Sequence, residues 1–265
     1  MPILKFGKPG IVRAVCISHV GKVRKNNEDN FCLNGSYSDK NHAQDAELST
    51  WKKSFLSAGG SFFAVFDGMG GGDYGEVASF TAAEAASAFL SQGGMEEGDV
   101  PDAFGKLCGR MNEQVCRMGR NLGAWQMGST LVSFYNREDR IWVCNLGDSR
   151  CYLLREGTLR QLSLDHSERE DGHGAAADRK PFITQYLGVD PGEMQIEPYL
   201  TSLTLQEKDR ILLCSDGLTD MVPEKTICEL LEEKRDPEAA VQALVHRALE
   251  AGGRDNITVM LCCTG

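Results

Sequence analysis

The chain has 265 residues, 42% of them apolar and 25% charged, ordinary proportions for a folded protein and enough for one substantial core. A formal net charge of −10 without any Lys/Arg-rich block excludes a partner whose run of phosphates must be neutralised, so no nucleic acid is expected. No segment is long and apolar enough to span a bilayer or serve as a secretory signal, and ten cysteines without a Cys-x-x-Cys pair fit a reducing cytoplasm.

Taken in chain order, alternating apolar residues predict a strand over Arg13 to Ser18, and the acidic pair Glu28-Asp29 follows just before Phe31. The stretch from Ser36 to Gly60 is polar, with two lysines beside Trp51, and reads as irregular: a candidate insert, either a loop near a site or a tolerated addition. Phe62 to Phe66 forms an apolar run that ends in Asp67-Gly68. Helical patterns span Gly75 to Leu90 and Pro101 to Leu122.

Strands are predicted next at Thr130 to Tyr135 and Arg140 to Asn145, then at Arg150 to Leu154 and Arg160 to Leu164. The short turns at Glu138 and Gly157 join each couple as an antiparallel hairpin. Residues 167–182, rich in Gly, Ala and charge, form a second irregular segment, a short flap. A strand from Arg210 to Ser215 runs into Asp216-Gly217, followed by helices at Pro223 to Lys234 and Pro237 to Ala251. Asp236 caps the last of these with Pro237 in its first turn, and Gly252-Gly253 stops it. Asp255-Asn256 then leads into a strand from Ile257 to Cys263. Helix pairs grouped around hairpin-connected strands imply an α+β layered protein forming a single domain over residues 1–265.

Four separate segments thus bring carboxylates to strand ends: Glu28-Asp29, Asp67, Asp216 and Asp255. A strand end is rigid, so a short acid there can be aimed. Crowded carboxylates repel unless protons or divalent cations neutralise them, and an all-oxygen set suits Mg²⁺ or Mn²⁺. Taken singly, each Asp-Gly is also ordinary turn chemistry, and Arg24 by itself reads as a solvated side chain beside an acidic pair rather than as a phosphate clamp. The glycines at 70, 71 and 72 lack the Lys-Ser/Thr ending of a nucleotide loop and read as letting backbone approach a metal.

In order, the motifs are Arg24 with Glu28-Asp29, Asp67-Gly68-Met69, Gly75-Glu76, Gly128-Ser129-Thr130, Gly147-Asp148, Asp165-His166-Ser167, Ser215-Asp216-Gly217 and Asp255-Asn256-Ile257-Thr258. This series resembles the metal-dependent serine/threonine protein phosphatases of type 2C in their bacterial form, from about Ile11 to Leu261. The resemblance implies a four-layer αββα sandwich, two antiparallel sheets flanked by helix pairs, with a binuclear Mg²⁺ or Mn²⁺ centre at one end. It implies that Asp67 bridges both metals, that Asp216 and Asp255 complete one shell, and that Glu28 and the Gly68 carbonyl hold the other ion. Asp29 would order metal-bound water, Asp148 would serve a third metal, and Arg24 would clamp the phosphate.

Two divalent ions held there would let a shared water lose its proton near neutral pH, and that hydroxide would attack phosphorus in line, without a phosphoenzyme. Met69 stands where some relatives carry a proton-donating His, so protonation of the leaving oxygen falls to metal-bound water. His166 reads as structural, and Asp220 as the entry cap of the helix beginning near Pro223. The expected partners are phosphoproteins made by a serine/threonine kinase, acted on by a monomer. The rival readings are a catalytically silent regulatory binder and a hydrolase of small phosphorylated metabolites.

Overall fold

Residues 10–39, 49–54, 60–69, 74–96, 98–124, 126–168 and 181–265 are described by a computed structural model. The glycines at 70–72 and most of the flap lie outside these described residues. The elements in chain order are β1 (Ile11–His19), β2 (Asp29–Leu33), β3 (Ser49–Ser54), β4 (Ser61–Met69), α1 (Gly75–Ser91), α2 (Val100–Leu122), β5 (Gly128–Ser129) and β6 (Leu131–Arg137). There follow β7 (Arg140–Leu146), β8 (Arg150–Arg155), β9 (Thr158–Gln161), β10 (Ser167–Glu168), β11 (Phe182–Ile183), β12 (Tyr199–Thr204), β13 (Arg210–Cys214), α3 (Asp216–Thr219), α4 (Glu224–Glu233), α5 (Pro237–Glu250) and β14 (Ile257–Thr264).

Two antiparallel sheets form the centre. One has the order β3-β1-β14-β13-β8-β9; the other runs β12-β7-β6-β4-β2, with β5 paired to β4. The period-2 alternation of side chains decides what each face meets. Along β4, Phe63 and Val65 enter the layer between the sheets, while Phe62, Ala64 and Phe66 pack under α1 and α2. The opposite sheet does the same: Leu213 and Met260 face inward, whereas Leu212 and Leu261 pack under α3, α4 and α5. Three apolar layers therefore separate four structural layers, the αββα sandwich that the resemblance implies.

Local chemistry sets the boundaries. The Asp236 carboxylate accepts the Ala239 N–H at 3.0 Å and Pro237 opens α5, as the sequence predicts. The hairpins β6–β7 and β8–β9 form at their expected turns. Six strands escape the sequence reading, three of them the two-residue β5, β10 and β11. β2 is five residues beginning on an acid, β12 is a half-buried edge strand without strong alternation, and β3 lies inside the stretch read as irregular. Edge pairing with β1 and β7 makes β3 and β12 strands, a tertiary effect that local pattern does not carry. β9 stops at Gln161 rather than reaching Leu164: beyond it the Leu162 and Ser163 N–H groups both reach the Cys151 carbonyl, at 2.7 and 3.4 Å, and the one-to-one ladder with β8 ends. Asp220 ends the short α3, and Pro223 is the residue preceding α4, so the reading of Asp220 as that helix's entry cap is corrected.

Candidate active site

In eight strands the apolar alternation of the inter-sheet layer gives way to a polar residue at one end of the sandwich. Cys16 is succeeded by Ser18, Val65 by Asp67, Val143 by Asn145 and Leu213 by Ser215; Asp29 precedes Phe31, Thr130 precedes Val132, Ser149 precedes Cys151 and Thr258 precedes Met260. Because each pair is two residues apart, the polar groups share the inward face with the core that they terminate. Strand register brings Ser18 opposite Thr258 and Asp29 opposite Asp67.

These groups are bonded to one another. Ser215 donates its hydroxyl to Asp29 at 2.7 Å and accepts the Thr258 N–H at 3.0 Å. The Ser18 and Thr258 hydroxyls are 2.8 Å apart, and the Asn27 amide donates to Ser18 at 2.8 Å. Asp67 donates its N–H to the Thr130 hydroxyl at 3.0 Å, which in turn lies 2.8 Å from the Ser149 hydroxyl. Asp148, half-buried in the β7–β8 turn, is the residue before that serine. Burial without a hydrogen bond is costly, so this lattice fixes the strand ends that carry the acids.

Two glycines let the backbones close in. A Cβ on Gly217 would overlap the Asn256 carbonyl, so only glycine lets Asp216, at the start of α3, approach the Asp255 turn. A Cβ on Gly75 would lie 2.8 Å from Glu28 Oε2 and 3.1 Å from the Gly68 carbonyl oxygen. The Glu28 carboxylate and the Gly68 carbonyl therefore converge on the spot that α1 leaves clear at its first residue. The Gly68 N–H also bonds the Glu28 carbonyl at 3.1 Å.

Electrostatics tie the acids into one neighbourhood. Burial pushes the Asp29 carboxyl up to about 7, against the hydrogen bonds of Thr258 and Ser215 and aided by the charges of Asp255 and Glu28. Glu28 is raised by burial and by Glu76 and Asp255, despite Arg24. Burial works against the Arg24 charge, but the hydrogen bond to Asp255 and the negative field of Asp255, Glu28 and Asp67 outweigh it and raise its pKa. Arg24 Nη2 lies 2.8 Å from Asp255 Oδ2. Asp255 Oδ1 meanwhile accepts the Asn256 N–H at 2.9 Å.

Oxygen donors alone, from carboxylates and one carbonyl, fit hard divalent cations. Among the described residues no three His, Cys, Asp or Glu side chains close on one point; the Arg24 guanidinium stands among them. His166 accepts the Gly147 N–H through Nδ1 at 3.2 Å and donates its own backbone N–H to the Gly147 carbonyl at 2.9 Å, fixing the Asp148 turn. That contact agrees with its structural reading.

The protein phosphatase 2C family model matches residues 35–261. The chain belongs to that family. It is 31% identical to the serine/threonine phosphatase Stp of Listeria welshimeri over 259 residues, covering 91% of each chain. The solved structure of PppA, a regulatory component of the type VI secretion system of Pseudomonas aeruginosa, superposes with a TM-score of 0.74 at 30% identity, covering 97% of this chain and all of that one. The catalytic domain of the serine/threonine protein phosphatase PstP, solved with two manganese ions, gives a TM-score of 0.70 at 29% identity, covering 95% of this chain and 99% of that one.

Arg24, Glu28, Asp29, Asp67 and Asp255 fall in one electrostatic cluster, and Asp216 joins it through the Gly217–Asn256 approach. The sequence reading gave no role to Ser18, Asn27, Thr130, Ser149, Asn256 or Thr258. For Ser18, Thr130, Ser149 and Thr258 the signal was present in the polar break two residues from an apolar position, but recognising it requires knowing which strands share a layer; no such pattern marks Asn27 or Asn256.

Proposed function

We propose that Arg24, Glu28, Asp29, Asp67, Asp216, Asp255 and the Gly68 carbonyl carry, in this chain, the reaction of its family: metal-dependent hydrolysis of phosphoserine and phosphothreonine in proteins. The observation that supports it is the meeting of these acids with one guanidinium at the polar end of the inter-sheet layer. Asp67, Asp216 and Asp255 would hold one Mn²⁺ or Mg²⁺; Asp67, Glu28 and the Gly68 carbonyl would hold a second. Asp148 is a candidate for a third. Bound there, such ions supply Lewis acidity that lowers the pKa of water from about 15.7 toward 7 and offsets phosphate charge.

The chain's own groups supply the rest. Asp29, held by the Ser215 hydroxyl at the polar end of the inter-sheet layer, is placed to accept or orient a proton of the attacking water. Arg24 offers a planar fork to two phosphoryl oxygens and exchanges Asp255 for them. Met69, half-buried where β4 pairs with Gly128, has no proton to give, so β4 contributes no general acid to the departing oxygen. No cysteine near these acids offers a lowered-pKa nucleophile; Cys16 and Cys214 are both pushed up by burial, in keeping with a route lacking a phosphoenzyme.

Phosphoproteins are the substrates, and a serine/threonine kinase of the same cell is the natural source of them. Ten free thiols, eight of them buried, fit a reducing compartment, and among the described residues no helix is long and apolar enough to cross a membrane. A phosphothreonine peptide assayed with Mn²⁺, with chelator, and with Asp216→Asn tests the reading. Turnover should require Mn²⁺ and vanish in the variant; metal-independent turnover, or peptide binding without hydrolysis, would replace it with another.

A further inference from the structure

We infer that Asn256 is the positioning residue that holds the loop from Val20 to Glu28, and with it Arg24 and Glu28, in register with Asp255 and Asp216. The inference rests on the phosphatase reading and extends it to a side chain that touches no substrate. Asn256 is 4% exposed, and its amide makes three hydrogen bonds to one loop. Nδ2 donates to the Val20 carbonyl at 2.8 Å and to the Asn26 carbonyl at 2.9 Å, while Oδ1 accepts the Glu28 N–H at 2.8 Å. Only this orientation of the amide works, since its reverse would set oxygen against two carbonyls.

The two carbonyls lie on either side of Arg24, four residues after the first and two before the second. The loop is also tied outside this grip, by the Lys22 N–H to the Gly253 carbonyl at 2.7 Å and by Asn27 to Ser18 at 2.8 Å. Asn256 is the side chain that spans from before Arg24 to Glu28. Its own backbone is committed to the acids: its N–H bonds Asp255 Oδ1 at 2.9 Å, and its carbonyl lies where a Gly217 Cβ would be. One residue thus joins the loop that carries the guanidinium to the two turns that carry Asp216 and Asp255. Alanine here would leave two carbonyls and an N–H without their buried partner and let Arg24 drift, and a shift of about 1 Å costs up to roughly a hundredfold in rate.

The test is a double-mutant cycle with a metal titration. Asn256→Ala should raise KM for a phosphothreonine peptide about tenfold and change kcat less, but should alter KM less than about twofold when introduced into Arg24→Ala, because the group it places is then gone. The Mn²⁺ concentration giving half the maximal rise in thermal midpoint should increase at least about fivefold, through Glu28. If Asn256→Ala lacks a cooperative melt, Asn256→Asp, which retains the acceptor for Glu28, replaces it in the same cycle. Equal KM effects in both backgrounds, with an unchanged Mn²⁺ midpoint, would overturn the inference and reduce Asn256 to a stabilising residue. A wild type inert toward the peptide would sink the phosphatase reading instead; the Mn²⁺ midpoint would still decide the positioning role.

Discussion

Asp29 and Asp209 are equally buried, each 1% exposed, at different ends of the sandwich, and they do opposite things. Asp209 is neutralised within the fold: Arg155 grips both of its oxygens, one at 2.6 Å and the other at 2.8 Å, and the Gln206 N–H adds a third bond at 2.8 Å. Asp29 takes a hydroxyl from Ser215 and faces the charges of Asp255 and Glu28, so burial and repulsion push its carboxyl up to about 7. A buried acid matched by a guanidinium holds a fold together. A buried acid surrounded by other acids leaves a charge deficit that a cation from solution can fill.

The largest test of this contrast is Asp216→Asn or Asp67→Asn. Either should lower kcat on a phosphothreonine peptide by at least about a thousandfold while leaving a cooperative thermal transition, on the scale that loss of an essential electrostatic group carries. Next comes Asp209→Asn, which should cost about 2 kcal/mol in a urea melt by unbalancing Arg155, with Mn²⁺-dependent turnover unchanged. If activity falls with it, the two ends are not separable. Arg24→Ala should raise KM about tenfold with a smaller drop in kcat, since a bidentate phosphate contact is worth roughly 1.4 kcal/mol or more.

The smallest effect is a pH dependence. With its folded pKa near 7 and an ordinary value of 3.8, Asp29 keeps a proton in the folded state that the unfolded chain has released. The unfolded chain then binds fewer protons between those values, so stability of the metal-free protein declines as pH rises from about 4 to 7. Mn²⁺ competes with that proton, so the rise in melting temperature at a fixed Mn²⁺ concentration should be larger at pH 8 than at pH 6. Asp29→Asn should flatten that difference. An equal Mn²⁺ shift at both pH values would mean that proton release and metal binding are not linked.

Much of this was legible before any fold was known. The runs ending in Asp67-Gly68 and Asp216-Gly217 announce strands closing on acids, and Asp236-Pro237 announces a capped helix. The lattice that supports them was not legible. Ser18 and Thr258 are 240 residues apart, and each looks like an unremarkable hydroxyl until strand register brings their oxygens within 2.8 Å. Nor does anything local mark β3 or β12, which exist because a neighbouring strand supplies their hydrogen bonds.

By itself, then, the order of residues determined which acids terminate which strands and the oxygen-only chemistry they offer, because alternation and turn propensity act over a few neighbours. Only the tertiary structure decided that Arg24 rests on Asp255, that one amide grips the loop on both sides of that arginine, and that Asp29 rather than Asp209 remains surrounded by like charge. Those outcomes depend on through-space distance and burial, which are properties of the packed sheets.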